Sequence, residues 1–473
     1  MQQKPNKLTE GSILKSLISL ALPVIFVNIL QTAYQLTDTF WVGRLGTDAV
    51  AAVSISFPII FFIISLGIGL GVAGTILVAQ YAGKQDQATV DYTSSQTFLM
   101  VIIVSLILGV LGYLLSPSMT LLMTDDQNVI APAISYMRIS FIGLVFMFTY
   151  MVFQSLLRGV GNVRTPMYIV LGTVLLNLVL DPLFIFGYGP IPAMGVKGAA
   201  ISTILTQAIA SIIGIALLSG GKYGIKLRLS HFKPDYPLIY KMFKIGFPSS
   251  IEQSTRAAGL AVMTLLVTTF GTLTVAAYGI GTYVLMFVII PAMGLSMATS
   301  TLVGQNIGAG KIERAERIAI LSTKTAFIAL TIGGNLIFIF ANQVVAFFIP
   351  GEYETIKSGA LFLRTMSLTF GFVGVQLTLN GVFVGAGNTM ISMILAIVSL
   401  WVLRFPLGYV LAIHTTLAEV GIWIAFAVSN IIAALATIVW FKKGTWKEKR
   451  ITEEMKQIED TRTESIIEGG SLG

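Results

Sequence analysis

Long apolar segments separated by short polar loops make up most of the chain. Twelve such segments are each close to or above the roughly 20 residues that a membrane-spanning helix needs. The pattern therefore predicts an all-α polytopic membrane protein with twelve transmembrane helices. The segments cover residues 16–40, 49–80, 93–115, 132–157, 165–187, 197–219, 241–270, 275–304, 317–340, 356–383, 390–413 and 418–441.

The second half of the chain repeats the first. Residues 21–88 align with 246–315 at an offset of 225, which places Pro23 on Pro248, Gln80 on Gln305 and Gly83 on Gly308. Each half holds six segments, so both halves enter the membrane from the same side and form a parallel repeat. We predict two pseudo-symmetric six-helix bundles. The expected parts are an N-lobe at 1–219, a basic cytoplasmic linker at 220–240, a C-lobe at 241–441 and a cytoplasmic tail at 442–473.

The distribution of basic residues predicts the orientation in the membrane. With the N-terminus inside, only Arg44, Lys197 and Lys357 fall in loops on the outer side, and the other loop lysines and arginines lie inside. By the positive-inside rule, both termini are expected in the cytoplasm and the protein in the plasma membrane. The net charge of +8 thus reflects the basic residues of the cytoplasmic loops and termini. No nucleic-acid partner is expected, because the basic residues are scattered without interleaved aromatic residues.

Composition narrows the function to transport. Hydrophobic residues make up 55% of the chain and charged residues 11%, which is far from a soluble protein. Cysteine is absent, and neither His231, in a basic loop, nor His414, near a helix end, suggests a metal ligand or a catalytic base. We expect a monomeric transporter in the lipid bilayer, without a cofactor, and not an enzyme.

The first segment carries a polar stripe. Asn28, Gln31, Gln35 and Asp38 are spaced three or four residues apart, and Tyr34 precedes Asp38 by one turn. These side chains share one helix face. Because a carboxylate facing lipid is costly, the face is expected to contact protein or a watery cavity. The alternative is that Asp38, six residues before Arg44, is an interfacial residue near the helix end.

The fifth and sixth segments add oxygen-bearing side chains. Asn177 and Asp181 are one turn apart, and Pro182 leaves the Leu178 carbonyl without its helical donor. Such a group fits a cation or proton site, although Asp181 before Pro182 is also compatible with a polar bend at the membrane surface. The sixth segment contributes Ser202, Thr203, Thr206 and Gln207. Oxygen-bearing side chains such as these suit hard cations. Alternatively, the hydroxyl groups only satisfy backbone carbonyls of their own helix.

An ordered set of motifs resembles the multidrug and toxic compound extrusion (MATE) transporters, with the DinF-like branch the closer match. The set comprises Pro23 followed after fourteen residues by DTFWV, then VAQYAG, LLRGVGN, NLVLDP, GVKGAA, VGQNIGAG and FVGAGN. The resemblance implies two six-helix lobes and export of amphipathic, cationic compounds in exchange for protons or sodium by alternating access. It also maps the family's N-lobe cation site, for H⁺ or alternatively Na⁺, onto Asp38, Asn177, Asp181 and Thr203.

Further residues are candidates for the substrate cavity. Methionines and aromatic residues supply adaptable surfaces for diverse ligands, and Phe153 is one such candidate. Glu252 and Arg256 have the spacing of an ion pair on one helix face. The cavity residues are expected to be Tyr34, Gln31, Gln35, Met151, Gln154, Met286, Glu252 and Arg256.

Two other functions fit a polytopic membrane protein. A lipid-linked precursor flippase of the same superfamily would need a strongly basic cavity, for which Arg138, Arg256, Arg364 and Arg404 are available. A non-transporting receptor or scaffold would not need carboxylates within the membrane. The two halves differ at these acidic positions. Met263 stands at the position equivalent to Asp38, and Phe405 stands approximately at that of Asp181. The pattern favours transport coupled through the N-lobe.

Overall fold

The computed structural model describes residues 8–448 and residue 451. Sixteen α-helices account for most of them, with a π-helical segment at Val398–Arg404 between α14 and α15. The helices are α1 (Ile13–Gly43), α2 (Thr47–Gly83), α3 (Gln87–Leu121), α4 (Gln127–Ile142), α5 (Leu144–Gly159), α6 (Arg164–Phe186), α7 (Val196–Ser219), α8 (Tyr236–Thr268), α9 (Thr272–Gly308), α10 (Ile312–Ile339), α11 (Ala341–Phe348), α12 (Tyr353–Ser367), α13 (Phe370–Gly385), α14 (Thr389–Ile397), α15 (Phe405–Ile413) and α16 (Glu419–Lys442).

The predicted membrane helices are present. Within the described residues, nine helical stretches are long and apolar enough to cross a membrane, and two bent pairs bring the number to eleven. The twelfth predicted segment is α8, which has 33 residues but carries a polar stretch at 249–256 that lowers its hydropathy. The prediction of an all-α polytopic membrane protein is confirmed.

Two predicted spans are broken, which their apolar sequences did not indicate. The pair α4 and α5 bends by 50°, and the pair α12 and α13 bends by 51°. At the first break, a Cβ atom on Gly143 would lie 2.2 Å from Cγ1 of Ile204 on α7. The absence of a side chain at Gly143 therefore lets α7 approach the bend.

One compact unit contains Leu20–Thr75 and Asp91–Ser254. In it, α7 packs against α4, α5 and α6. The glycines of the segment 67–74 lie at tight contacts, as small-residue helix packing predicts. A Cβ atom on Gly69 would lie 2.3 Å from the Gly246 carbonyl oxygen, and one on Gly71 would lie 2.9 Å from Ser155 Oγ.

The predicted linker is fixed to the start of α3 in this unit. Gln96 Nε2 donates to the carbonyl oxygens of His231 and Lys233, at 2.7 and 2.6 Å. Tyr92 donates to Asp235 at 2.8 Å. The unit includes residues 236–254, so it does not end where the sequence placed the lobe boundary. The boundaries at 219 and 241 stay a prediction.

The other compact unit contains the residues up to Ser19, Ile76–Val90 and the chain from Thr255 onward. In it, α9 packs against α10, α12 and α13. In this unit, the end of α2 contacts the end of α9 through equivalent residues of the two repeats. A Cβ atom on Gly83 would lie 1.9 Å from the Gln305 carbonyl oxygen, and one on Gly308 the same distance from that of Gln80. Only glycine permits such backbone contact.

Candidate ion site

Asp181 lies in a fully buried hydrogen-bonded group on α6 and α7. Asn177 Nδ2 donates to Asp181 Oδ1 at 2.7 Å, and Ser202 Oγ donates to the same oxygen. All three residues are 0% exposed. The spacing of four residues places Asn177 and Asp181 on one face of α6, as predicted. This face is turned toward protein and not toward solvent, which argues against a polar bend at the membrane surface.

Helix α1 brings Tyr34 and Asp38 to the same place. The Tyr34 hydroxyl lies 3.0 Å from Thr206 Oγ1 on α7 and also interacts with the side chain of Thr203. Asp38 follows one turn later, is half-buried, and is close enough to Asp181 for their charges to interact. The structure thus brings together residues from three helices that are far apart in the sequence.

An apolar cluster at one end of this group holds the helices in position. It contains Val42 of α1, Ile185 of α6 and Val196 of α7, each at most 8% exposed. Trp41 and Tyr136 pack against the cluster from α1 and α4. Within a bilayer, close van der Waals packing of such side chains stabilises contacts between helices. The polar group is therefore held by close apolar packing beside it.

Three oxygen atoms of the group are buried and have no hydrogen-bond donor among the described residues. They are Asp38 Oδ1, Asn177 Oδ1 and Asp181 Oδ2. A buried acceptor without a donor costs about 1–3 kcal/mol, more if charged. A proton on a carboxylate or a cation coordinated by these oxygens would remove that cost. Oxygen-only ligands are those that hard cations prefer.

Two members of the site differ from the sequence expectation. The α7 hydroxyl that contacts Asp181 belongs to Ser202, and the neighbouring Thr203 interacts with Tyr34 instead. Tyr136 on α4, which the sequence did not single out, is close enough to interact with Asp38 and Asp181. The charged residues near it lie on α1 and α6, so no pattern within its own segment marked it. The role of Thr203 stays a prediction.

The expected cavity residues have varied surroundings. Gln31, Gln35 and Met286 are exposed, and Glu252 is buried. Tyr34, Met151, Gln154 and Arg256 are half-buried. Their role in binding substrate stays a prediction. Phe153, however, is 0% exposed, and a Cβ atom on Gly214 would lie 2.7 Å from its ring, so it belongs to the core and was wrongly included as a cavity candidate.

The equivalent positions in the second half are apolar and packed. Met263, which corresponds to Asp38, is 2% exposed and lies in a core cluster with Tyr278, Phe362 and Trp423. Phe405, at about the position of Asp181, packs against the same cluster. The repeated frame therefore carries an acidic group in one half and hydrophobic core in the other.

The four arginines that a flippase would use have separate contacts. Arg138 lies over the ring of Tyr113 at 4.9 Å. Arg404 donates to Ser429 and Asn430 and is close enough to Arg256 for their charges to repel. Arg364 lines a surface groove between α11 and α12. Arg404 and Arg256 are thus neighbours, whereas Arg138 and Arg364 each have other contacts.

Two homologous sets of membrane helices with buried acidic residues are typical of membrane transporters. The family model MatE matches residues 23–183 and 248–410, and the two stretches begin 225 residues apart, which is the offset of the repeat. The chain belongs to the MatE family. It is a membrane transporter of MATE type and not an enzyme.

Related proteins match over almost the whole chain. Probable multidrug resistance protein YpnP of Bacillus subtilis is 29% identical over 452 residues, which cover 94% of this chain and 98% of that protein. A MATE crystal structure in the bent conformation matches with a TM-score of 0.88 at 26% identity, covering 95% and 99% of the two chains. The outward-facing structure of a multidrug resistance MATE transporter matches with a TM-score of 0.85 at 28% identity, covering 94% and 98%. The DinF-like assignment within the family stays a prediction.

Proposed function

We propose that the protein is a multidrug efflux antiporter that exports amphipathic cations in exchange for protons. It acts in the plasma membrane with both termini in the cytoplasm. The observation that carries the proposal is the set of three buried acceptor oxygens on Asp38, Asn177 and Asp181. Relatives named as probable multidrug resistance proteins support multidrug efflux.

The exchangeable proton is assigned to Asp38. Asp181 Oδ1 already accepts from Asn177 and Ser202, and these donors stabilise a negative charge there. Asp38 Oδ1 is buried and faces no donor among the described residues. Two neighbouring carboxylates repel each other when both are charged. A proton on Asp38 relieves that repulsion and gives the group a donor.

Proton binding also supplies the coupling step. With Asp38 protonated, the group loses a negative charge and with it part of its attraction for a cationic substrate. Helix α1 is free to rearrange when this charge is removed, because Pro23 interrupts its hydrogen-bond ladder. The Tyr34–Thr206 contact between α1 and α7 is the hydrogen bond that such a movement would break. Related MATE structures in bent and straight conformations support a movement of this kind.

Transport in sodium-free proteoliposomes tests the proposal. An imposed pH gradient should drive movement of a fluorescent lipophilic cation by the wild type, and Asp38→Asn should abolish it. Asp48→Asn is the matched control, since Asp48 lies exposed in the first turn of α2. Thermal unfolding of each variant shows whether it is folded.

Three results would contradict parts of the proposal. If cation movement needs a sodium gradient, the coupling ion bound by these oxygens is sodium and not the proton. Equal transport by the wild type and Asp38→Asn would reject the role of Asp38. Movement of a fluorescent lipid-linked pyrophosphate, without movement of any cation, would favour the flippase.

A further inference from the structure

A polar groove opens beside the short helix α11. It has a volume of about 460 Å³ and lies between α11 and α12, along which it extends from Tyr353 to Arg364. Besides Ala346, its lining combines two cationic side chains, two amides, one tyrosine and one isoleucine. These are Lys357, Arg364, Asn342, Gln343, Tyr353 and Ile356. The groove is remote in sequence from every residue of the candidate ion site.

The groove is positively charged. Lys357 and Arg364 are seven residues apart on α12, which places them on one helix face. Neither forms an ion pair with a carboxylate in residues 8–448, and the single hydrogen bond of the Arg364 side chain there runs from Nε to the Phe338 carbonyl oxygen at 3.4 Å. Glu352 and Glu354 stand at the start of the same helix, but neither lines the groove. Two cations therefore face the same small volume with no nearby countercharge in its wall.

The groove borders an exposed apolar surface. Ala341 and Val345 anchor α11, since both are 0% exposed and belong to one core cluster with Leu363. Phe347 and Phe348, at the end of α11, are 82% and 44% exposed. A short amphipathic helix with exposed aromatic side chains is typical of the membrane–water interface. A ligand in the groove thus has lipid beside it.

We propose that this groove binds the phosphodiester headgroup of an anionic membrane lipid. The Arg364 guanidinium matches the geometry of phosphate oxygens, and Lys357 adds a point charge. The amides of Asn342 and Gln343 supply further donors for headgroup oxygens. A free phosphate ester would use the same cations, but it would leave Phe347 and Phe348 without a partner. The exposed aromatic surface therefore assigns the groove to a lipid, independently of the transport function.

Native mass spectrometry of the full-length protein tests this proposal. The protein is released from nanodiscs that contain equal amounts of phosphatidylglycerol and phosphatidylcholine. The wild type should retain phosphatidylglycerol preferentially, and the double variant Lys357→Gln/Arg364→Gln should lose about tenfold of that preference, as expected for two removed surface cations. The control Arg44→Gln/Lys197→Gln removes two basic residues near helix ends on the same predicted side and should retain the preference. Both variants should unfold at the wild-type temperature.

Two outcomes would overturn the proposal. Equal retention of phosphatidylglycerol by the wild type and Lys357→Gln/Arg364→Gln would show that the groove does not select the lipid. In lipid-free detergent, free glycerol phosphate and phosphatidylglycerol can each be tested for an increase in the unfolding temperature of the wild type. An equal increase at the same concentration would show that the ligand is a soluble phosphate ester. Phe347→Ser/Phe348→Ser separates the two sources further, since it should weaken retention of the lipid and leave binding of glycerol phosphate unchanged.

Discussion

Asn177 donates a 2.7 Å hydrogen bond to Asp181, one turn further along α6, and both side chains are completely buried. The bond fixes the amide so that its oxygen, Asn177 Oδ1, has no donor among the described residues. Asp181 Oδ2 is in the same situation. This bond, with the one from Ser202, thus leaves two acceptors without a donor in the membrane interior, where unsatisfied groups are costly.

Replacement of Asn177 tests whether this orientation matters for transport. Asn177→Ala removes a donor to Asp181, and a hydrogen bond to a charged group contributes about 1.5–3 kcal/mol. We expect the initial rate of proton-driven cation transport to fall by about tenfold or more. Asn128→Ala, at an exposed position near the start of α4, should leave the rate unchanged. An unchanged rate in Asn177→Ala would mean that Asp181 does not depend on its neighbour.

The contact between Tyr34 and Thr206 is suited to a double-mutant cycle. Tyr34→Phe and Thr206→Val each remove one hydroxyl of the 3.0 Å pair that joins α1 to α7. The free energies of unfolding should be non-additive by about 0.6 kcal/mol, a typical value for hydrogen bonds between membrane helices. Unfolding in mixed detergent micelles measures all four proteins. Strict additivity would show that the two hydroxyls do not interact.

The glycine at the end of α9 should resist replacement. A Cβ atom on Gly308 would lie 1.9 Å from the Gln80 carbonyl oxygen, and a backbone atom cannot move aside as a side chain can. Gly308→Ala should lower the free energy of unfolding by about 1–3 kcal/mol. Gly279→Ala is the control within the same helix, because its Cβ atom would meet no atom within 4 Å. This control should be neutral or stabilising by about 0.5–1 kcal/mol. Equal unfolding temperatures for the two variants would contradict the packing at Gly308.

The asymmetry between the halves can be tested at Met263. Met263→Asp places a carboxylate in the apolar cluster of Tyr278, Phe362 and Trp423, so the folded yield in the membrane should fall sharply. Met263→Leu keeps the volume and should cost less than about 1.5 kcal/mol. Fluorescence-detected size-exclusion chromatography compares the two yields. A well-folded Met263→Asp protein would show that this region of the second half tolerates an acidic group.

Several features followed from the sequence because they depend on local pattern. Span length and hydropathy indicated the all-α membrane fold. The spacing of Asn177 and Asp181 indicated their shared face, since helical geometry alone brings them together. The repeat placed Met263 opposite Asp38, and the absence of a second-half carboxylate at that position is a property of the sequence itself.

Other features required the tertiary structure because they depend on contacts between distant segments. No local pattern decides whether Ser202 or Thr203 reaches Asp181, since adjacent residues on α7 differ by about 100° in direction. Tyr136 joins the group only because α4 packs on the same apolar cluster. The bend at Gly143 exists where Ile204 of α7 approaches it.

The sequence by itself thus determined the class of the protein, its two homologous halves and the acidic residues that distinguish them. The tertiary structure decided which donors face Asp181, which oxygens remain without a donor, and that Lys357 and Arg364 share one groove. The physical reason is that hydropathy and helical periodicity act within a segment. Hydrogen bonding and the burial of charge, in contrast, are settled by how the segments pack.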